Sequence, residues 1–113
     1  MQQRMMNLAI AVIRLTKKFP DYTESKVIAF QIIKSSTSMA ANYRAACRGK
    51  SAKDFIAKMG IVEEESDETA FWLEMIKVMN LAPEEDVNLL LKETSEILAM
   101  TVSSIKTAKG NLK

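Results

Sequence analysis

The sequence contains no histidine, and this absence removes several kinds of chemistry at once. Without imidazole the chain lacks the usual general base and every Ser/His or Cys/His nucleophile. The Glu-x-x-His ligand pairs with which four-helix bundles hold two metal ions are excluded as well. Any metal site would therefore need oxygen ligands alone, and we expect no cofactor.

Cysteine, glycine and long apolar runs are also scarce. The single cysteine, Cys47, cannot form a disulfide within the chain, and its place beside small residues predicts a buried, unreactive thiol; a reactive thiol beside Arg44 and Arg48 is the alternative. The three glycines form no phosphate-binding loop. No apolar run reaches the ~18 residues that a membrane span needs, and the N-terminal segment lacks the features of a signal peptide. We expect a cytoplasmic protein with no membrane partner.

Charge is distributed unevenly along the 113 residues. Residues 1–62 carry eleven Lys or Arg and three Asp or Glu, a balance of +8, whereas residues 63–113 carry five and eleven, a balance of −6. The two halves are expected to attract each other, within a protomer or between protomers. A content of 48% hydrophobic and 27% charged residues is typical of a globular protein, and the length predicts one domain, residues 1–113.

Apolar residues recur at helical spacing along the whole chain and predict four helices. The first spans about Gln3–Lys18 and ends before a proline. The second begins at a cap supplied by Asp21 or Thr23 and ends at about Arg48. Gly49 is expected to close it in the left-handed conformation that is common after a helix.

The third and fourth helices show a heptad pattern of apolar and small residues. The third is predicted to begin at an N-cap formed by Ser51, with Asp54 three positions on, and the fourth begins near Pro83. Short turns between four helices predict an all-α fold, an antiparallel up-down-up-down four-helix bundle. The predicted seam positions are Phe55, Met59, Val62, Ser66, Thr69, Leu73 and Ile76 on the third helix, and Val87, Leu90, Thr94, Ile97, Thr101, Ser104 and Ala108 on the fourth.

The segment FWLEMIKVM, residues 71–79, is apolar on nearly every side of its helix. If Leu73 and Ile76 face the core of the protomer, the other large apolar residues face something else, and a second copy of the chain is the natural candidate. The alternative is that Trp72 only extends the edge of the core stripe. The predicted interface consists of Phe71, Trp72, Met75 and Met79.

An acidic cluster precedes this segment and consists of Glu63, Glu64, Glu65, Asp67 and Glu68. Helical nucleotide pyrophosphohydrolases hold magnesium with a similar Glu-Glu-x-x-Glu motif and a later Glu-x-x-Asp, but the second motif is missing here. If the hairpin of the second and third helices turns at residues 49–50, Lys34 lies opposite Glu64 and Glu65. We therefore expect ion pairs across this seam, with a magnesium-dependent nucleotide hydrolase as the less favoured alternative.

The turn between the second and third helices carries a surplus of positive charge from Arg44, Arg48, Lys50 and Lys53. Only Asp54 is placed to balance it. Basic residues beside a helix N-terminus predict a site for the phosphates of RNA or DNA, and the scarcity of aromatic residues favours contacts to the backbone over the reading of bases. The alternative is a solvated corner with no ligand.

Several motifs in the middle of the chain carry a resemblance to a known family. They are the small-residue tract leading into ANYR (41–44), the turn RGKS (48–51), KDFI (53–56), ESDET (65–69) and WLE (72–74). On these residues the sequence resembles the four-helix-bundle family first noticed as open reading frames in intervening sequences of bacterial 23S ribosomal RNA genes, once labelled a ribosomal protein. It departs from the family pattern at Ala45, where many members have glutamate, and at Glu63, where a basic residue is frequent.

The resemblance implies a left-handed up-down bundle that assembles into a pentameric ring, with a basic surface suspected of binding nucleic acid. Related bundles in diversity-generating retroelements are accessory proteins that bind a reverse transcriptase and its template RNA. Together with the basic turn, this favours a non-enzymatic, homo-oligomeric module that binds RNA. A protein–protein adaptor with no nucleic-acid role is the alternative.

Overall fold

The computed structural model describes residues 1–112 and contains four α-helices over that range. They are α1 (Gln2–Thr16), α2 (Thr23–Cys47), α3 (Ala52–Val78) and α4 (Glu84–Gly110). The helix pairs in contact are α1–α2, α2–α3, α3–α4 and α1–α4. Since the connecting turns are short, each helix runs antiparallel to the next, and α4 packs against α1 to complete the bundle. The predicted up-down-up-down bundle is confirmed, with extents of 51 × 20 × 19 Å.

The core lies between the four seams, largely as the heptad pattern predicts. Its best-buried large side chains come from every helix. Four predicted seam positions are not fully buried, because Ser104 is exposed and Phe55, Leu90 and Ala108 are half-buried. The fully enclosed large side chains include Met5 and Val12 on α1, Ile32 and Met39 on α2, Met59, Val62, Leu73 and Ile76 on α3, and Val87 and Ile97 on α4.

A buried hydrogen bond between Ser35 and Thr69 sets the register of α2 against α3. The two hydroxyl oxygens are 2.9 Å apart, and both residues are fully buried, so small side chains let the two helices approach closely. The connection between the helices takes four residues, 48–51, rather than the two assumed from sequence. Because Ser35 lies opposite Thr69, Lys34 is offset by more than one helical turn from Glu64 and Glu65, and the expected alignment is wrong. Within residues 1–112 Lys34 forms no ion pair.

In the α2–α3 connection the predicted cap at Ser51 is present, but the predicted conformation of Gly49 is not. Ser51 caps α3 as expected, since its hydroxyl accepts a hydrogen bond from the backbone N–H of Asp54 at 3.1 Å. Gly49, however, does not adopt a positive φ. A Cβ atom there would lie 3.1 Å from the carbonyl oxygen of Ala46 and 3.4 Å from the Cβ of Asp54. Glycine fits this position because the backbone passes close to its neighbours, and its left-handed freedom is not used.

The start of α2 and the end of α3 also differ from expectation. The residue preceding α2 is Tyr22, in extended conformation, and no side chain caps the helix; Asp21 instead lies 3.4 Å from Lys26 in an exposed ion pair. The left-handed residue of this bundle is Asn80, with φ of 57°. It follows α3 and turns the chain so that the backbone N–H of Leu81 donates to the carbonyl oxygen of Ile76 at 3.1 Å.

Candidate nucleic-acid interface

The four basic residues predicted as a binding site lie at one end of the bundle. Arg44 is in the last turn of α2, Arg48 and Lys50 are in the connection, and Lys53 is in the first turn of α3. All four are exposed. Within residues 1–112 none of them forms an ion pair, because the five ion pairs found there join other residues.

Asp54 is the only carboxylate between residues 42 and 58, and it forms a hydrogen bond with the backbone of the turn. Its Oδ2 atom accepts a hydrogen bond from the backbone N–H of Lys50 at 3.4 Å. Its own backbone N–H donates to the Ser51 hydroxyl. One carboxylate engaged in this way leaves most of the positive charge of the turn uncompensated.

The four cations surround the end of the bundle and do not share one flat face. Arg44 borders a groove between α1 and α2 whose walls include Met6, Ile10 and Ala41. Lys53 lies two helical turns before Gly60, which borders the groove between α3 and α4. The two residues therefore point toward different sides of the molecule, and the basic surface curves around the end.

Lys106 and Lys109 of α4 belong to the same end, and the sequence prediction missed them. Both are exposed, and within residues 1–112 neither forms an ion pair. The up-down topology brings the last turns of α4 beside the start of α3, where Phe55 and Thr107 line one groove. A count of charge along the sequence cannot find these lysines, but pairing the start of the third predicted helix with the end of the fourth would have done so. We call the six residues Arg44, Arg48, Lys50, Lys53, Lys106 and Lys109 the basic end.

A notch with both polar and apolar side chains in its lining adjoins the basic end. It exists because α1 has 15 residues and α4 has 27, so α4 continues past the point where Met1 lies beside Met100 and Ser104. The notch has a volume of about 350 Å³. Its lining residues are Phe55, Ser103, Ser104, Thr107, Ala108 and Asn111.

Cys47 lies at the same end and is exposed, so the prediction of a buried thiol is wrong. The last turn of α2 instead buries Ala46, which is 3% exposed. One turn earlier Tyr43 packs against the core. Burial raises the pKa of the Tyr43 hydroxyl, and the neighbouring Cys47 raises that pKa further. The packing of Tyr43 against the core leaves its ring largely unavailable to a ligand of the basic end.

The predicted self-association surface is only partly exposed. Phe71 is 51% exposed and Met79 is exposed, but Trp72 and Met75 are half-buried. Trp72 packs on the core, its indole N–H lies 3.4 Å from Glu68 Oε2, and the edge of the ring contacts Phe71 with centroids 4.9 Å apart. Three further apolar side chains, in the half of the α2–α3 hairpin away from the 48–51 connection, are more than half exposed, and the sequence prediction did not include them: Val27, Phe30 and Val78.

The acidic cluster borders a groove of about 510 Å³ between α3 and α4. Glu63, Glu64 and Asp67 form its α3 wall, and Leu98 and Val102 form its α4 wall. Across residues 1–112 no three His, Cys, Asp or Glu side chains are grouped as a metal site would require. Among the same residues no helix is long and apolar enough to cross a membrane.

The fold and the basic end define the class: an all-α four-helix bundle with an uncompensated cationic surface at one end. Residues 1–103 match the family model described as 23S rRNA-intervening sequence protein, and the chain belongs to that family. It is also similar to a crystal structure of a protein of unknown function from the S23 ribosomal protein family of Bacteroides thetaiotaomicron VPI-5482, with 30% identity and a TM-score of 0.85. That similarity covers 93% of this chain and 97% of the other. A search among curated proteins finds no match.

Proposed function

We propose that this protein is a non-enzymatic, homo-oligomeric bundle that binds nucleic acid, RNA in the first place, through the basic end. The observation that carries the proposal is the placement of Arg44, Arg48, Lys50 and Lys53 on exposed positions without an ion pair within residues 1–112. The association of the family with intervening sequences of ribosomal RNA genes agrees with an RNA ligand.

The chemistry of the site supports contacts to phosphates. Lysine and arginine release counterions from the nucleic-acid backbone when they bind, which gives an affinity that falls as salt rises. The carboxylate of Asp54 accepts a hydrogen bond from the Lys50 backbone, and a single negative charge does not neutralise the four cations that an anion would contact. Specific reading of bases would need side chains that reach base edges, and the turn offers few besides its two arginines.

The proposal is tested by measuring RNA affinity against salt concentration for the wild type and for the triple variant Arg48→Glu, Lys50→Glu, Lys53→Glu. If these residues contact phosphates, the variant binds on the order of 10-fold or more weakly at ~0.1 M salt, and its slope of log affinity against log salt is smaller by about 3.

A matched control reverses three cations elsewhere, with Lys17→Glu, Lys34→Glu and Lys92→Glu. These residues are exposed, and within residues 1–112 they form no ion pair, so the change in net charge is the same. We expect the control to keep most of the affinity and the slope. Equal losses of RNA affinity in both variants would show that the loss depends on net charge alone and would contradict a site at the turn.

The homo-oligomeric part of the proposal is supported by exposed apolar side chains in the half of the hairpin away from the basic end. Phe71, Val78 and Phe30 are 51%, 84% and 64% exposed, and burying such residues stabilises an interface. We propose that this surface joins protomers into a ring, five by the family resemblance. Phe71→Arg with Val78→Arg should yield monomers in analytical ultracentrifugation. Leu89→Arg, at a position 68% exposed on α4, should leave the assembly unchanged.

The same apolar surface supports a second candidate function, a protein–protein adaptor that does not bind nucleic acid. The two candidates differ in a simple observation on purified protein. Under the first, the ratio of absorbance at 260 to that at 280 nm is raised by co-purified nucleic acid and falls after a high-salt wash. Under the second, the ratio is that of the protein alone from the start.

A further inference from the structure

We propose that the basic end binds the backbone of double-stranded nucleic acid in preference to a single strand, with Lys106 and Lys109 among its contacts. This inference rests on the proposed function and adds to it the class of ligand and the α4 part of the site.

The first argument is the position of the aromatic side chains. Proteins that bind single strands stack bases on exposed aromatic rings. Among residues 1–112 the exposed rings are Tyr22, Phe30 and Phe71, all in the half away from the basic end. At the basic end Tyr43 and Phe55 are partly buried and packed against the core. The basic end therefore offers cations without a stacking platform.

The second argument is the shape of the charged surface. A single strand is usually held in a positively charged groove that follows its backbone. Here the groove between α3 and α4 is lined by Glu63, Glu64 and Asp67, and the groove between α1 and α2 is apolar apart from Gln2, Thr37 and the border residue Arg44. The cations lie instead around an end of about 20 × 19 Å in cross-section. Cations spread over this width can contact phosphates on both strands of a duplex, whereas a single strand offers one line of phosphates.

The third argument is the chemistry beside the lysines of α4. Ser103, Ser104 and Thr107 line the notch next to Lys106 and Lys109. Serine and threonine hydroxyls are frequent donors to phosphate and sugar oxygens, and they carry no preference for a base. Duplex recognition of this type depends on shape and backbone, and the 2′-hydroxyl distinguishes RNA from DNA.

The test compares a 20-base-pair RNA duplex, a DNA duplex of the same sequence and the separate strands, by fluorescence anisotropy over a range of salt concentrations. We expect the RNA duplex to bind at least about 10-fold more tightly than either of its strands at equal salt. Comparison with the DNA duplex shows whether the notch favours a 2′-hydroxyl. Equal affinity for the two duplexes would assign the contacts to phosphates alone. The proposal requires only that each duplex binds more tightly than its separate strands.

The α4 part of the site is tested with Lys106→Glu, Lys109→Glu and with the milder Lys106→Ala, Lys109→Ala. Each pair should weaken duplex binding and reduce the salt slope by about 2, while Lys17→Ala, Lys92→Ala should not. Circular dichroism and oligomer size check that the variants fold as the wild type does.

The outcomes separate the two proposals. If no nucleic acid binds, the proposed function itself fails. If single strands bind as tightly as the duplex, or if the α4 variants bind the duplex with unchanged affinity and slope, the proposed function stands and the present inference is overturned.

Discussion

At the scale of single residues, small polar side chains inside the bundle decide how closely the helices pack. Among the described residues seven serines and threonines are buried, and most donate a hydrogen bond to a carbonyl one turn earlier, as Ser66 does to Val62 at 2.7 Å. Such bonds satisfy the hydroxyl without a partner on another helix. Ser25 is different, because its hydroxyl is buried and has no hydrogen-bond partner within residues 1–112.

Replacing Ser25 with alanine should therefore stabilise the protein. The variant removes a desolvated hydroxyl whose burial costs about 1–3 kcal/mol when it is unpaired, so we expect the free energy of unfolding to rise by about 1 kcal/mol. Urea unfolding monitored by circular dichroism measures the change. Ser35→Ala is the matched comparison and should lower stability, since it breaks the bond to Thr69. A loss of stability in Ser25→Ala would contradict the assignment.

At the scale of helices and turns, the ends of α3 show which local signals determine structure. The Ser51 cap at the start of α3 can be predicted from the serine and from Asp54 three positions later. The turn after α3 depends on Asn80, which adopts the left-handed conformation that asparagine tolerates better than most residues. Leu81 and Ala82 follow it and are buried. This turn therefore links the end of α3 to the core.

Substitutions at Asn80 should rank by their tolerance of positive φ. Asn80→Gly should keep or slightly raise stability, whereas Asn80→Val should lower the free energy of unfolding by about 1–2 kcal/mol, because a branched side chain is strained there. The same asparagine-to-valine change at Asn88, an exposed position within α4, controls for residue type and should have little effect. Thermal unfolding of the variants gives the order, and a melting temperature left unchanged by Asn80→Val would contradict it.

At the scale of the whole molecule, α1 is held against α4 by ion pairs near both of its ends. Near its start Arg4 lies 2.7 Å from Glu93 and 2.8 Å from Glu96, and just beyond its end Lys18 lies 2.7 Å from Asp86. The hydrogen bonds from Arg4 lower the pKa of Glu93 below its ordinary value. Protonation of Glu93 therefore opposes the docking of α1.

This arrangement predicts an acid-dependent loss of stability. Because the pKa of Glu93 is lower in the folded state than in the unfolded state, its stabilising contribution is present above the unfolded pKa and is lost as pH falls through the folded pKa. The melting temperature of the wild type should fall in that window, and Glu93→Gln should reduce the fall. Glu85→Gln, an exposed carboxylate without an ion pair within residues 1–112, should leave the pH profile unchanged. Identical profiles for all three proteins would contradict the prediction.

The three scales also differ in how much the sequence could predict. The seams of α1 and α3 follow from periodicity, because burial of one helix face is a local pattern. The register of α2 on α3 does not, since it depends on the contact of Ser35 with Thr69 and on the length of the turn. The cations of the turn are close together in the sequence and can be grouped from it directly. Lys106 and Lys109 join them only when the predicted up-down order is used to pair the start of α3 with the end of α4.

The up-down order of the helices has a practical consequence for handling this protein. The start of α1, the α2–α3 connection and the last turns of α4 all lie at one end, as the grooves shared by Met1, Tyr43 and Ser104 show. A fluorescent label attached near Met1 or near Gly110 would therefore lie beside the basic end and compete for space with a bound ligand. An insertion at the turn around Asn80, at the far end, would leave that surface clear.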